Sequence, residues 1–267
     1  KMPVDNPYWL FGNKLRNVIK MSYAASAFSS RFDEIPLEER ELIKNRLSEF
    51  YYIGVRDEVT KSFVESLELG ITVYLNHDPT IFLQPATDVK IAKMTLRKNF
   101  VFNNKESVSF MTRELPKIDK LRGELAEQYN LLHFYRRDRY KADLLDNRCR
   151  FMNNVSPYEW YNLYGQMKLN ITNFFHGACL GIINHVPTIV VDDFEQSYMS
   201  KYAQLMTDLK LTDRLFYKKD FQYEKFIEAV NYCLTHREEE SQRLAIAIDK
   251  ERVKSQSFFL ALDNILK

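Results

Sequence analysis

The feature that most constrains this chain is an alternation, maintained over most of its length, of short β-branched or aromatic runs with stretches of helical period. Such alternation defines an α/β fold, in which helices connect parallel strands. Val18 to Ala25 reads as a strand, Pro36 to Tyr51 as a helix with Leu42, Ile43, Leu47 and Phe50 on its apolar side, and Tyr52 to Val55 as the next strand. A helix from Asp57 to Leu69 is expected to end at Gly70 in the C-cap position, before a strand from Ile71 to Leu75 that stops at the turn dipeptide Asp78-Pro79. Pro85 marks a domain boundary, beyond which the alternation restarts. Strands are expected at Phe100 to Phe102, Leu131 to Tyr135, Arg150 to Met152, Leu169 to Phe175 and Thr188 to Val191. Helices are expected at Pro116 to Gln128, from the capping box Ser156-Pro157-Tyr158-Glu159, at Gly177 to Asn184, Tyr198 to Leu209, Tyr223 to Thr235 and Glu238 to Leu266.

Composition removes several classes of function. The 267 residues suffice for one large domain or two of ordinary size, and 45% hydrophobic with 28% charged residues excludes a disordered chain or a fibre. Only 7 glycines are present, against about 18–19 at the usual frequency. They nowhere form GxGxxG or GxxxxGK[ST], so the dinucleotide and P-loop fingerprints are both excluded. The balance of 38 Lys and Arg against 36 Asp and Glu, net +2, lacks the clustered basic excess of a nucleic-acid binder. Cys149, Cys179 and Cys233 have neither disulfide nor zinc spacing and read as reduced, intracellular thiols. The run from Ile171 to Ile183 is broken by Asn173 and His176 and falls short of the roughly 20 residues of a membrane-spanning helix.

Three strand ends and one helix start carry side chains with chemical potential. From Asn170 to Leu180, a strand delivers His176 and Gly177 to the amino end of a helix, where unpaired N–H groups attract anions and an imidazole can carry a proton. The same spacing suits a histidine that caps the helix or packs in the sheet. Arg56 can grip a carboxylate or phosphate bidentately beside Asp57, which is positioned as an N-cap; a surface arginine next to a capping aspartate fits equally. Asp78 can orient a base or a sugar hydroxyl, or serve only as a turn residue before proline. Lys201, at a helix start after Asp192-Asp193, can meet an anion or remain solvated. The runs Arg136 to Arg139 and Glu238 to Glu240 read as a charged loop and a solvated helix end.

Taken in order, these segments resemble the polysaccharide pyruvyl transferase family. The matching stretches are Ser22-Tyr23-Ala24-Ala25-Ser26, Gly54 to Glu58, Asp78-Pro79-Thr80, Phe175-His176-Gly177 with Val186-Pro187-Thr188-Ile189, and Ser200-Lys201-Tyr202 with Leu209 to Leu215. Two departures stand out. Phe174 occupies the position of a family Arg or Ser, and the glycine-rich strand–loop–helix that opens the family pattern is expected upstream of this chain. The resemblance implies two Rossmann-like βα domains facing across a cleft, as in GT-B glycosyltransferases. It divides the chain into a partial amino-terminal domain over 1–84, a carboxyl-terminal domain with the donor site over 85–235, and a helical tail over 236–267 that packs back on the first. It further implies transfer of the enolpyruvyl unit of phosphoenolpyruvate, as a ketal, to a sugar of a surface or capsular polysaccharide precursor, with no cofactor and no metal. A lipid-linked oligosaccharide acceptor would put the work in the cytoplasm at the inner membrane face, with peripheral membrane association. His176 is then the catalytic acid/base, and Arg56, Gly177, Lys201 and Asp78 bind substrate, with Tyr135 and Tyr140 beside the charged loop available to stack on an acceptor sugar. A glycosyltransferase with a nucleotide-sugar donor and a catalytically silent scaffold share the same fold-level expectation.

Overall fold

The computed structural model describes residues 18–27, 32–112, 115–134, 148–193 and 200–267. Tyr135, Tyr140 and the arginines from 136 to 139 lie outside them. Contacts divide the chain into two compact units, Lys1–Pro79 with Glu251–Lys267, and Thr80–Lys250.

The first unit holds β1 (Lys20–Ala25), α1 (Leu37–Leu47), β2 (Phe50–Val55), α2 (Glu58–Glu65) and β3 (Val73–Leu75). The three strands form a parallel sheet in the order β1-β2-β3. Ile43, Ile53, Val55, Phe63, Val64 and Val73 make its core. Asp57 caps α2, its carboxylate accepting from the Thr60 amide at 2.7 Å. That helix ends four residues earlier than the sequence reading, and Gly70 serves the loop before β3 with a left-handed φ of +73°.

The second unit contains α3 (Val89–Lys98), β4 (Ser107–Met111), α4 (Ile118–Gln128), β5 (Asn130–His133), β6 (Cys149–Phe151), α5 (Pro157–Tyr164), β7 (Met167–Thr172), α6 (Phe175–Ile183), β8 (Thr188–Asp192), α7 (Lys201–Asp208), β9 (Leu215–Tyr217), α8 (Tyr223–Thr235) and most of α9 (Arg237–Lys254). Its six strands are all parallel in the order β6-β5-β4-β7-β8-β9, the 3-2-1-4-5-6 arrangement of a doubly wound sheet. One face packs Phe110, Leu169 and Ile189 against Leu121 and Leu125 of α4 and Phe226 and Val230 of α8. The opposite face buries Leu132, Met167 and Val190 under α3, α5, α6, α7 and α9. Burial on both faces removes the alternation that marks a strand with one wet side. β4, Ser-Val-Ser-Phe-Met, departs from this: its serines alternate with Val108 and Phe110 as on a strand with one wet side, although the strand is central and Ser109 is fully buried.

Phe100 to Phe102, expected as a strand, instead closes α3. The Val101 amide donates to the Leu96 carbonyl and the Phe100 amide to the Arg97 carbonyl, with Phe100 left-handed at φ +63°. This is a Schellman cap with phenylalanine in the position usually filled by glycine. α6 and α7 end the same way, with His185 (φ +56°) and Lys210 (φ +56°) in the left-handed position. Lys210 is exposed, so Lys210→Gly is expected to stabilise the protein by about 0.5–1 kcal/mol, the relieved backbone strain exceeding the greater unfolded-state entropy of glycine. A rise in the urea midpoint checks it, and a fall would show that the lysine contributes contacts of its own.

The capping box of α5 forms as expected: the Ser156 side chain accepts from the Glu159 amide at 3.2 Å, and the Glu159 carboxylate accepts from the Ser156 amide at 2.8 Å. That amide, with Lys98 at 3.0 Å, lowers the Glu159 carboxyl from 4.5 to about 2. A depressed carboxyl stabilises the fold above its unfolded value and loses that contribution as pH falls through the folded value. Glu159→Gln is therefore expected to be less stable than the parent at neutral pH, with the gap closing between about pH 4.5 and pH 2; urea unfolding of both proteins across that window measures it.

The chain returns to the first unit at Glu251, and α10 (Ser257–Leu266) completes that unit. The single helix expected over Glu238 to Leu266 is thus two, interrupted at Ser255-Gln256, where the buried Ser255 hydroxyl accepts from the His77 amide at 3.1 Å.

Candidate active site

In an open α/β sheet, ligands bind beyond the carboxyl ends of the strands, where the strand order reverses. In the second unit this point lies between β4 and β7, the neighbours from which the sheet grows in opposite directions. The β7–α6 turn is fixed there by several bonds. The Asn173 amide donates to the Met111 carbonyl of β4 at 2.7 Å, and the Phe174 amide to Thr172 Oγ1 at 2.9 Å. Tyr202 Oη donates to the Asn173 carbonyl at 2.7 Å, and Asn173 Nδ2 to the Asp193 carboxylate at 3.3 Å.

His176 is the second residue of α6 and is exposed, its ring flanked by those of Phe174 at 6.0 Å and Phe175 at 5.7 Å between centroids. The first three amides of α6, at Phe175, His176 and Gly177, have no acceptor within the helix, as in any helical first turn. Gly177 also has a packing reason: a Cβ there would lie 3.0 Å from both Thr172 Oγ1 and Tyr164 Oη. Its carbonyl accepts from Asn170 Nδ2 at 3.0 Å. Tyr164 is fully buried, and burial pushes its phenol up to about 12. One turn further along α6, a side chain at Gly181 would collide with Asn170 and Thr188. Two of the few glycines are therefore fixed by how closely α6 approaches the sheet.

Lys201 begins α7 next to the N-cap Ser200, whose hydroxyl accepts from the Ala203 amide and donates to the Asp192 carboxylate at the end of β8. Its ammonium lies 4.8 Å from the Phe175 ring centroid and 5.7 Å from that of Tyr202. His176 and Lys201, 25 positions apart, thus each lie against the Phe175 ring. Phe174 stacks on Trp160 at 5.9 Å and brings no charge. Thr112 follows β4 directly; it is buried, and its hydroxyl has no hydrogen-bond partner among the described residues. Sequence reasoning missed it because it missed β4.

In the first unit, Arg56 follows β2 and donates from Nη1 to Asp78 Oδ2 at 2.9 Å, so two expected site residues form an ion pair. Sequence reasoning did not anticipate the neighbouring pair, His77 Nε2 and the Glu251 carboxylate at 2.7 Å, because the partners are 174 residues apart.

A groove of about 760 Å³ lies elsewhere in the second unit, at the amino end of β9, between Arg214, Tyr232 and Arg243. Its charges are largely paired with one another, and it lies at the end of the sheet opposite the strand carboxyl ends. Among the described residues, no group of His, Cys, Asp and Glu could hold a metal ion, and no helix is long and apolar enough to cross a membrane.

Two units, each built on a parallel sheet flanked by helices, make an α/β architecture of GT-B-like fold. The profile of one family, polysaccharide pyruvyl transferase, matches residues 4–193, and the protein belongs to that family. No curated protein matches the sequence. Similar solved structures include a UDP-forming α,α-trehalose-phosphate synthase from Burkholderia xenovorans, 13% identical with a TM-score of 0.55 over 92% of this chain and 68% of that one. A glycosyltransferase from Rickettsia africae is 16% identical with a TM-score of 0.53 over 87% and 66%. The wall teichoic acid polymerase TagF is 12% identical with a TM-score of 0.52 over 92% and 68%. The chain spans about two thirds of each, and at such identities the similarity is one of fold.

Proposed function

We propose that this protein transfers the enolpyruvyl unit of phosphoenolpyruvate to two hydroxyls of a sugar in a surface or capsular polysaccharide precursor, lipid-linked at the inner membrane face. The observation that carries this reading is the family match across the segment containing His176. In the reaction, the donor methylene carbon gains a proton while one sugar hydroxyl adds to the central carbon. The second hydroxyl then displaces phosphate from that carbon, closing the ketal, and its proton leaves with the phosphate or the base. A group that gives and takes protons is required, and His176 is that group. The first-turn amides of α6, including Gly177, and the Lys201 ammonium bind the phosphate. In the first unit, Arg56, paired with Asp78, is the cation available to a substrate carboxylate.

Phosphoenolpyruvate at about 100 times its Kd is expected to stabilise the protein by about 2.7 kcal/mol, read as a rise in Tm. Arg56→Ala is expected to weaken that binding about 10–100-fold, through loss of a charge-assisted hydrogen bond; an unchanged Kd would remove Arg56 from the donor site. The apolar Phe174 favours one other reading, a nucleotide-sugar donor. Stabilisation by a nucleoside diphosphate, without any by phosphoenolpyruvate, would establish that reading in place of this one.

A further inference from the structure

The outward face of α3 and the cap that follows it combine features that the fold does not require. From Val89 to Lys105 the chain has five lysine or arginine residues and no carboxylate. The inward side of α3 is used by the core, with Ala92 and Thr95 buried. The outward side presents Lys90, Lys93, Met94 and Arg97, all exposed, Met94 by 64%. None of the three cations on that side has an ion-pair partner among the described residues, whereas Lys98 is held by Glu159 at 3.0 Å.

Two aromatic rings stand at the end of this basic face. Phe100 is 74% and Phe102 72% exposed, with centroids 6.4 Å apart. Phe100 also holds a left-handed backbone that glycine would adopt without strain. A large apolar side chain in a strained position, facing water, contributes nothing to the stability of this unit. Exposed aromatics beside unpaired cations are the chemistry of a surface that meets anionic lipid headgroups, the rings entering the boundary of the acyl region and the cations pairing with the headgroups. The nearly balanced charge of the whole chain and the apolar tip argue against a nucleic-acid backbone as the occupant.

We propose that this face docks on an anionic lipid bilayer through Phe100, Phe102, Lys90, Lys93 and Arg97. The test is co-sedimentation of the full chain with vesicles of phosphatidylcholine alone or mixed with phosphatidylglycerol. Binding to the mixed vesicles is expected to exceed that to phosphatidylcholine by at least about tenfold and to weaken in about 0.5 M NaCl. Phe100→Gly with Phe102→Ser, and Lys90→Glu with Lys93→Glu and Arg97→Glu, are each expected to lose at least about tenfold in partitioning while Tm is retained. Absence of binding to mixed vesicles, or equal binding by both variants, overturns the proposal. So does binding of a single-stranded oligonucleotide, or self-association of the chain, that depends on these residues while the vesicles stay bare.

Discussion

His176→Ala is expected to lower pyruvyl transfer by about 10²–10⁴-fold, the usual contribution of a positioned acid/base, while Tm stays within the narrow range of surface substitutions. The separation follows from geometry. His176 is exposed on the first turn of α6, so truncating it opens no cavity in the core below. The turn beneath it is held by the backbone bonds of Asn173 and Phe174 and by the Tyr202 hydroxyl, none of which involves the imidazole. Phosphate release from phosphoenolpyruvate in the presence of acceptor measures the rate, and thermal unfolding measures the fold. Retained activity in the alanine variant would remove His176 from the chemistry; a large fall in Tm would make it a structural residue.

Glu240→Ala is expected to destabilise the protein by about 3–5 kcal/mol, the cost of breaking a buried pair and leaving its partner charged. Glu240 accepts from Arg214 twice, at 3.0 Å from Nη2 and 3.2 Å from Nε, with side chains only 4% and 9% exposed. Burial alone would lower the Arg214 guanidinium, but its bonds to Glu240 and the charges around it hold it above its ordinary value. The adjacent Cys233 thiol is pushed up to about 12, mainly by burial, and cannot replace the missing anion. Asp213, half exposed, would be left to face both Arg214 and Arg243. The neighbouring Glu239 is exposed and bonds only to the Tyr232 hydroxyl among the described residues, so Glu239→Ala is expected to change stability by no more than about 0.5 kcal/mol. Denaturant unfolding of the two variants side by side checks both values; equal effects would show that the Arg214 pair is not what holds α9.

These two residues mark the limits of what a sequence reveals. His176 was legible because a strand, a histidine, a glycine and a helix follow one another without interruption, and local order fixes where the side chain emerges. Lys201, Arg56 and Asp78 were legible as residues at strand or helix ends, but the meeting of Lys201 with Phe175 and of Arg56 with Asp78 was not. Glu240 was misread as part of a solvated run. In composition it equals Glu238 and Glu239, and only its facing Arg214 distinguishes it. The break between α9 and α10 likewise has no glycine or proline to announce it, since it depends on contacts such as that of Ser255 with the distant His77.

The sequence by itself determined the α/β class, the α5 capping box, the extent of α8 and the succession of strand and helix around His176, though not the bounds, which lie at Thr172 and Phe175, because each is set by periodicity or by neighbours within a few residues. Tertiary structure alone decided that Ser107–Met111 is a central strand, that Phe100 caps a helix instead of lying in a sheet, and that one glutamate of three is buried. Those outcomes depend on which groups meet across the fold. The serines of β4 look like the wet side of an edge strand until the sheet buries them on both faces, and an ion pair 26 residues apart leaves no local trace.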